Sequence, residues 1–114
     1  MTNADRVYRV ELSEEAVRQA EASARWWAEH RSPEEAARWL DCFLTAVSSL
    51  SRHPHARPPA EEDGLFPVEL RELHFGLGGR PTHRAVFRVS GRYVTVLTVR
   101  HVRQPPLGQG DLPA

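Results

Sequence analysis

The sequence predicts an α+β fold in the order β-α-α-β-β-β, with a helical hairpin packed on one face of a mainly antiparallel, twisted sheet. Two observations carry that expectation. Apolar residues in the first half recur at helical spacing on both sides of a restart signal, Ser32-Pro33-Glu34-Glu35. The second half holds three strand-like runs joined by connections too short for parallel crossovers.

Val7-Tyr8-Arg9-Val10-Glu11-Leu12 alternates apolar and polar, the pattern of a half-buried strand. Ser13 caps the helix that follows, and Glu14 and Glu15 favour its first turn. Val17, Ala20, Ala24 and Trp27 recur at helical spacing, and the helix is expected to stop near Arg31. Ser32 caps the second helix, Pro33 suits its first position, and Glu35 completes a capping box. Ala36, Leu40, Phe43, Val47 and Leu50 form its apolar stripe. The short connection makes the helices an antiparallel hairpin, which ends at His53-Pro54. Trp26, Trp27 and Trp39 read as core or hairpin packing rather than nucleic-acid stacking. Residues 53–66, rich in proline and acid, read as a loop. Strands are expected at 68–75, 83–89 and 93–101, as a meander broken at Gly76-Leu77-Gly78-Gly79 and Ser90-Gly91. The first strand pairs with the last strand or at another edge; periodicity does not choose. The sheet face away from the helices is expected to be free for function.

A chain of 114 residues suffices for one domain, read here as 1–104. Residues 105–114, with Pro105-Pro106 and little to bury, read as a disordered tail. No apolar run reaches bilayer length, and Met1-Thr2-Asn3-Ala4-Asp5-Arg6 carries no apolar signal segment. The expectation is a cytoplasmic protein with no membrane partner. Cys42, the one cysteine, cannot form an internal disulfide and reads as a small buried hydrophobe. No Cys/His cluster has metal-ligand spacing, and no cofactor is expected. Net charge is zero, and every basic residue is arginine. After Glu72 the only acid is Asp111, against Arg80, Arg84, Arg88, Arg92, Arg100 and Arg103. Such a basic half suits an anionic partner, RNA or an acidic peptide; arginines alternating on a solvated sheet face give the same pattern.

Several strings share a family pattern. They are Trp26-Trp27-Ala28-Glu29-His30-Arg31-Ser32-Pro33-Glu34-Glu35-Ala36-Ala37-Arg38, then His53-Pro54, then Leu70-Arg71-Glu72-Leu73-His74-Phe75-Gly76. Arg84-Ala85-Val86-Phe87-Arg88-Val89 and Val94-Thr95-Val96-Leu97-Thr98-Val99-Arg100-His101-Val102-Arg103 complete the set. In this order, over about residues 7 to 104, they resemble the RelE/ParE superfamily of toxins from type II toxin–antitoxin systems. The resemblance implies a growth-inhibiting, plasmid-stabilising toxin and a cognate antitoxin whose extended segment folds on binding. RelE-like members are mRNA endoribonucleases that cut in the ribosomal decoding site. ParE-like members poison DNA gyrase by binding. A degenerate toxin would keep only antitoxin binding. The ribosome with its mRNA and DNA gyrase are therefore the two target expectations, and fold alone does not choose between them.

Ribonuclease chemistry of this kind needs no metal. A base takes the 2′-OH proton, an acid protonates the leaving 5′-oxygen, and cations hold the phosphorane's charge. The resemblance assigns catalytic positions to Arg84 and His101 and substrate-binding positions to Arg71, Arg88 and Arg103. Imidazole suits acid–base work near neutrality, and guanidinium matches phosphate oxygens. Glu61 and Glu62 fall in the loop where some nucleases of the family carry a base. Three features depart from the nuclease pattern: no lysine is present, Val102 replaces the tyrosine that follows the histidine in one nuclease type, and net charge is neutral.

Overall fold

The structure, a computed structural model, describes residues 7–104. The expected tail at 105–114 lies outside the described residues. The elements are β1 (Arg9–Leu12), α1 (Glu14–His30), α2 (Pro33–Ser48), β2 (Arg71–Phe75), β3 (His83–Ser90) and β4 (Tyr93–His101). Short 3-10 turns at Ser49–Ser51 and Pro54–Ala56 lead out of α2. The strand order is β1-β4-β3-β2. The last three strands form the antiparallel meander, and β1 lies parallel to β4.

Both serine caps form. Ser32 Oγ accepts from the Glu35 N–H at 3.0 Å, with Pro33 opening the helix. Ser13 does more. Its Oγ accepts from the Ala16 N–H at 3.0 Å and donates to the Leu97 carbonyl at 2.9 Å. Leu97 is skipped where the β3–β4 register shifts between Val86 and Phe87. Such a bulge leaves ladder groups unpaired, and α1 supplies their partners: Gln19 Oε1 also accepts from the Val99 N–H at 2.6 Å.

This fastening sets the rotation of α1. Ala16 and Ala20 face the sheet and are buried, whereas Val17, expected inside, is 38% exposed. Two alanines at the contact let α1 approach the sheet closely, so α2 supplies most of the bulk. Trp39, Phe43, Val47 and Leu50 are buried at helical spacing, while Leu40, expected in the stripe, lies outside it. Trp39 stacks on Phe43 with ring centres 5.7 Å apart. Trp27 packs on this core; Trp26 does not, and instead stacks half-exposed on His30.

The face away from the helices is not wholly free. Residues 57–70 fold back over its β2–β3 half. Ala60 N–H donates to Leu70 O at 2.9 Å, and Glu72 N–H donates to Pro58 O at 3.0 Å. Ala60, Leu70 and Val86 form a second small core with Phe66, Val68 and Leu97 around it. Because Leu70 bonds to this covering segment, β2 begins at Arg71 rather than at the expected residue 68. Among the described residues no helix is long and apolar enough to cross a membrane.

Ser13→Ala removes a helix cap and the bond to the bulge, whereas Ser32→Ala removes a cap alone. Urea unfolding is expected to show a loss of about 2 kcal/mol for the first and about 1 kcal/mol for the second.

Candidate functional site

Strand alternation sends neighbouring residues to opposite faces. On β3, Ala85 and Phe87 belong to the core beneath the helices, and His83 packs against Trp39 from the same side. Arg84, Val86 and Arg88 therefore face the other way. The register sets His83 beside His101 and Arg84 beside Arg100. His101 thus lies on the helix side of the sheet and Arg84 on the far side.

Arg84 is 2% exposed beneath the covering segment. Its Nη1 and Nη2 reach Glu62 Oε1 and Oε2 at 2.7 and 2.5 Å, a bidentate pair, and Nη1 also reaches Glu72 Oε1 at 3.2 Å. Glu62 is wholly buried. Glu72 extends the network by accepting from the Glu61 N–H at 3.0 Å and meeting His74 Nε2. Hydrogen bonding to Glu62 holds the guanidinium above its ordinary pKa against the opposing effect of burial. The two carboxylates engage both terminal nitrogens of the guanidinium.

His83 and His101 meet edge to face, ring centres 5.3 Å apart. Burial, with a smaller push from His101, lowers the His83 pKa to about 4. Thr82 Oγ1 lies 2.9 Å from His83 Nδ1. His101 is half-buried, and its Nδ1 accepts from the Arg103 N–H at 3.1 Å, so the neutral ring carries its proton on Nε2.

The other arginines are dispersed. Arg71 is half-buried at the β2 edge, donating to Arg57 O at 2.6 Å and pairing with Glu69 at 2.5 Å. Arg88 is exposed on the face that carries Arg84, but it stands beyond the covering segment's second core. Arg103 is exposed past the end of β4. Cys42 is half-buried and donates to Gly76 O at 3.3 Å. Among the described residues no group of three or more His, Cys, Asp or Glu is placed to hold a metal. The sequence reading missed Glu62 and Glu72 as the partners of Arg84. The available signal was an acid, Glu72, alternating with Arg71, Leu73 and Phe75 in a strand whose neighbour carries a buried arginine.

Arg84→Ala strands two carboxylates in a dry site and is expected to cost about 3–5 kcal/mol in denaturant unfolding; Arg84→Met with Glu62→Leu is expected to cost much less. His83 sits folded as the neutral ring. Its contribution to stability is complete above its unfolded pKa of 6.5 and is lost as pH falls through 6.5 towards about 4. The melting temperature of the wild type should fall across that window, and His83→Gln should flatten the decline.

Comparison with known proteins agrees with this architecture. No curated protein sequence matches the chain. A solved structure described as the chromosomal ParDE TA system from P. aeruginosa shares the fold, with a TM-score of 0.72 and 20% identity. That match covers 87% of this chain and 100% of the other. The family model described as the ParE toxin of the type II toxin–antitoxin system parDE matches residues 10–106. The chain belongs to the ParE toxin family, a membership that implies an antitoxin partner.

Proposed function

We propose that this toxin acts by binding, as an inhibitor of DNA gyrase, and does not cut mRNA. The observation that carries the reading is the placement of Arg84 and His101 on opposite faces of one sheet. Phosphodiester cleavage needs the acid–base group and the charge-stabilising group within hydrogen-bonding reach of one phosphate. Here the guanidinium is also enclosed, with both of its terminal nitrogens engaged by Glu62 and Glu72. Val102, in place of the nuclease tyrosine, offers no proton. Arg71 and Arg103 point to no common centre with Arg84, since one is spent on Glu69 and the other lies past β4. An inhibitor that works by occupying a surface needs none of these groups to converge. Neutral overall charge fits such a protein better than one that must hold ribosomal RNA through phosphate contacts.

Induction of the wild type and of His101→Ala in a bacterial host tests the reading. Both are expected to arrest growth with DNA breaks and an SOS response while protein synthesis is initially intact. Early loss of synthesis with cleaved mRNA, relieved by His101→Ala, would contradict it, as would growth unaffected by the wild type.

A further inference from the structure

A helix packed on a sheet is expected to turn polar residues outward. The helical hairpin departs from this. Val17 on α1 and Leu40 and Leu44 on α2 stand at 38%, 37% and 45% exposure. Between the helices, on their outer side, runs a shallow groove of about 430 Å³ floored by Ala24, Ala28, Ala36 and Leu40. Leu44 and Val17 continue the apolar surface towards the start of α1. Glu21 and Arg25 stand on the α1 rim of the groove, both exposed. They are four positions apart on one helix, a spacing at which opposite charges readily pair. Among the described residues neither forms an ion pair, with the other or with any further side chain.

The reversal at Arg31 and Ser32 runs α2 back along α1, so Ala28 lies level with Ala36 and Ala24 with Leu40. The midpoint between Glu21 and Arg25 therefore falls within about 1.5 Å of the level midway between Leu40 and Leu44. Consider a two-fold axis in the plane of this face, crossing both helices at that level. It sets Glu21 of one copy against Arg25 of the other, twice. It also sets Leu40 of one copy against Leu44 of the other, twice.

We propose that the outer face of the hairpin is the contact between two copies of this chain, which form a two-fold dimer through their four helices. The charge pattern selects that occupant. An acidic segment would meet Arg25 but be opposed by Glu21, and a basic segment would meet the reverse. The phosphates of a nucleic acid would be opposed by Glu21 in the same way. The face itself, turned about the axis, presents the opposite charge at both places and an apolar surface between them. That is the self-complementarity a two-fold contact needs. The inference is independent of the target on which the toxin acts.

Sedimentation velocity of the purified full chain, from about 1 to about 200 µM, tests this, and a reversible dimer is expected within that range. Leu40→Gln with Leu44→Gln is expected to weaken it about 100-fold, since each change counts twice across the axis. Arg25→Glu sets like charges together on both sides of the axis and is expected to weaken it about 10-fold. Glu21→Arg with Arg25→Glu exchanges the two charges and keeps the face self-complementary, so affinity is expected to return to within about threefold of wild type. Arg38→Glu, exposed on α2 away from the groove, should also stay within about threefold. Circular dichroism checks that each variant is folded. A wild type that stays monomeric throughout would overturn the proposal. So would a dimer indifferent to the leucine changes, or a loss in Arg25→Glu that the charge exchange does not restore. A monomeric wild type that binds its antitoxin through Leu40 and Leu44 would overturn it too, since the occupant would then be that partner and not a second copy.

Discussion

A guanidinium and two carboxylates taken out of water together lose several kcal/mol of hydration each, and only close mutual contact repays it. Arg84 is in that position. It projects from the middle of the sheet on the face without helices, and the protein does not leave it to solvent. Residues 57–70 bring Glu62 down onto it in a bidentate pair, and β2 supplies Glu72 beside it. Much else follows from that contact. The covering segment pairs with the edge of β2 through Ala60 and Pro58, so this edge is not left open. It draws Leu70 out of the strand and builds the small core around Val86. It also divides the face into a closed, neutral half and an open, cationic half.

The helix side is organised by packing and by one polar fastening. The β4 bulge presents the Leu97 carbonyl and the Val99 N–H to α1, and Ser13 and Gln19 take them up. The small contact surface of Ala16 and Ala20 then brings α1 down onto β4, while Trp39 and Phe43 of α2 fill the space above Phe75 and His83. His83 is thereby part of the core. Its low pKa reflects that burial, and it sits against His101 as a neutral packing partner.

The helices were legible because their ends are written locally. Ser13 and Ser32 with their following acids mark starts, and His53-Pro54 marks the exit from the hairpin. The meander was legible from glycine-bearing turns and from β-branched runs such as Val94-Thr95-Val96. Helix rotation was not legible. Val17 and Ala16 satisfy a helical period equally well, and the choice between them was made by the bond from Ser13 to a bulge more than eighty residues away. Site geometry was hidden for a similar reason. Arg84 and His101 differ by an odd number of residues, but they lie on different strands, so only the register shows them on opposite faces. The covering segment was visible as proline and acid without any sign that one of its acids would be buried.

Arginines that are either neutralised inside or spread over a half-face fit the inhibition of gyrase by binding that we propose for this toxin. The most direct measurement is a supercoiling assay with purified gyrase, run beside cleavage of ribosome-bound mRNA by the same preparation. Inhibition of gyrase by binding predicts concentration-dependent loss of supercoiling with the mRNA left intact. Intact supercoiling together with cut mRNA would contradict it.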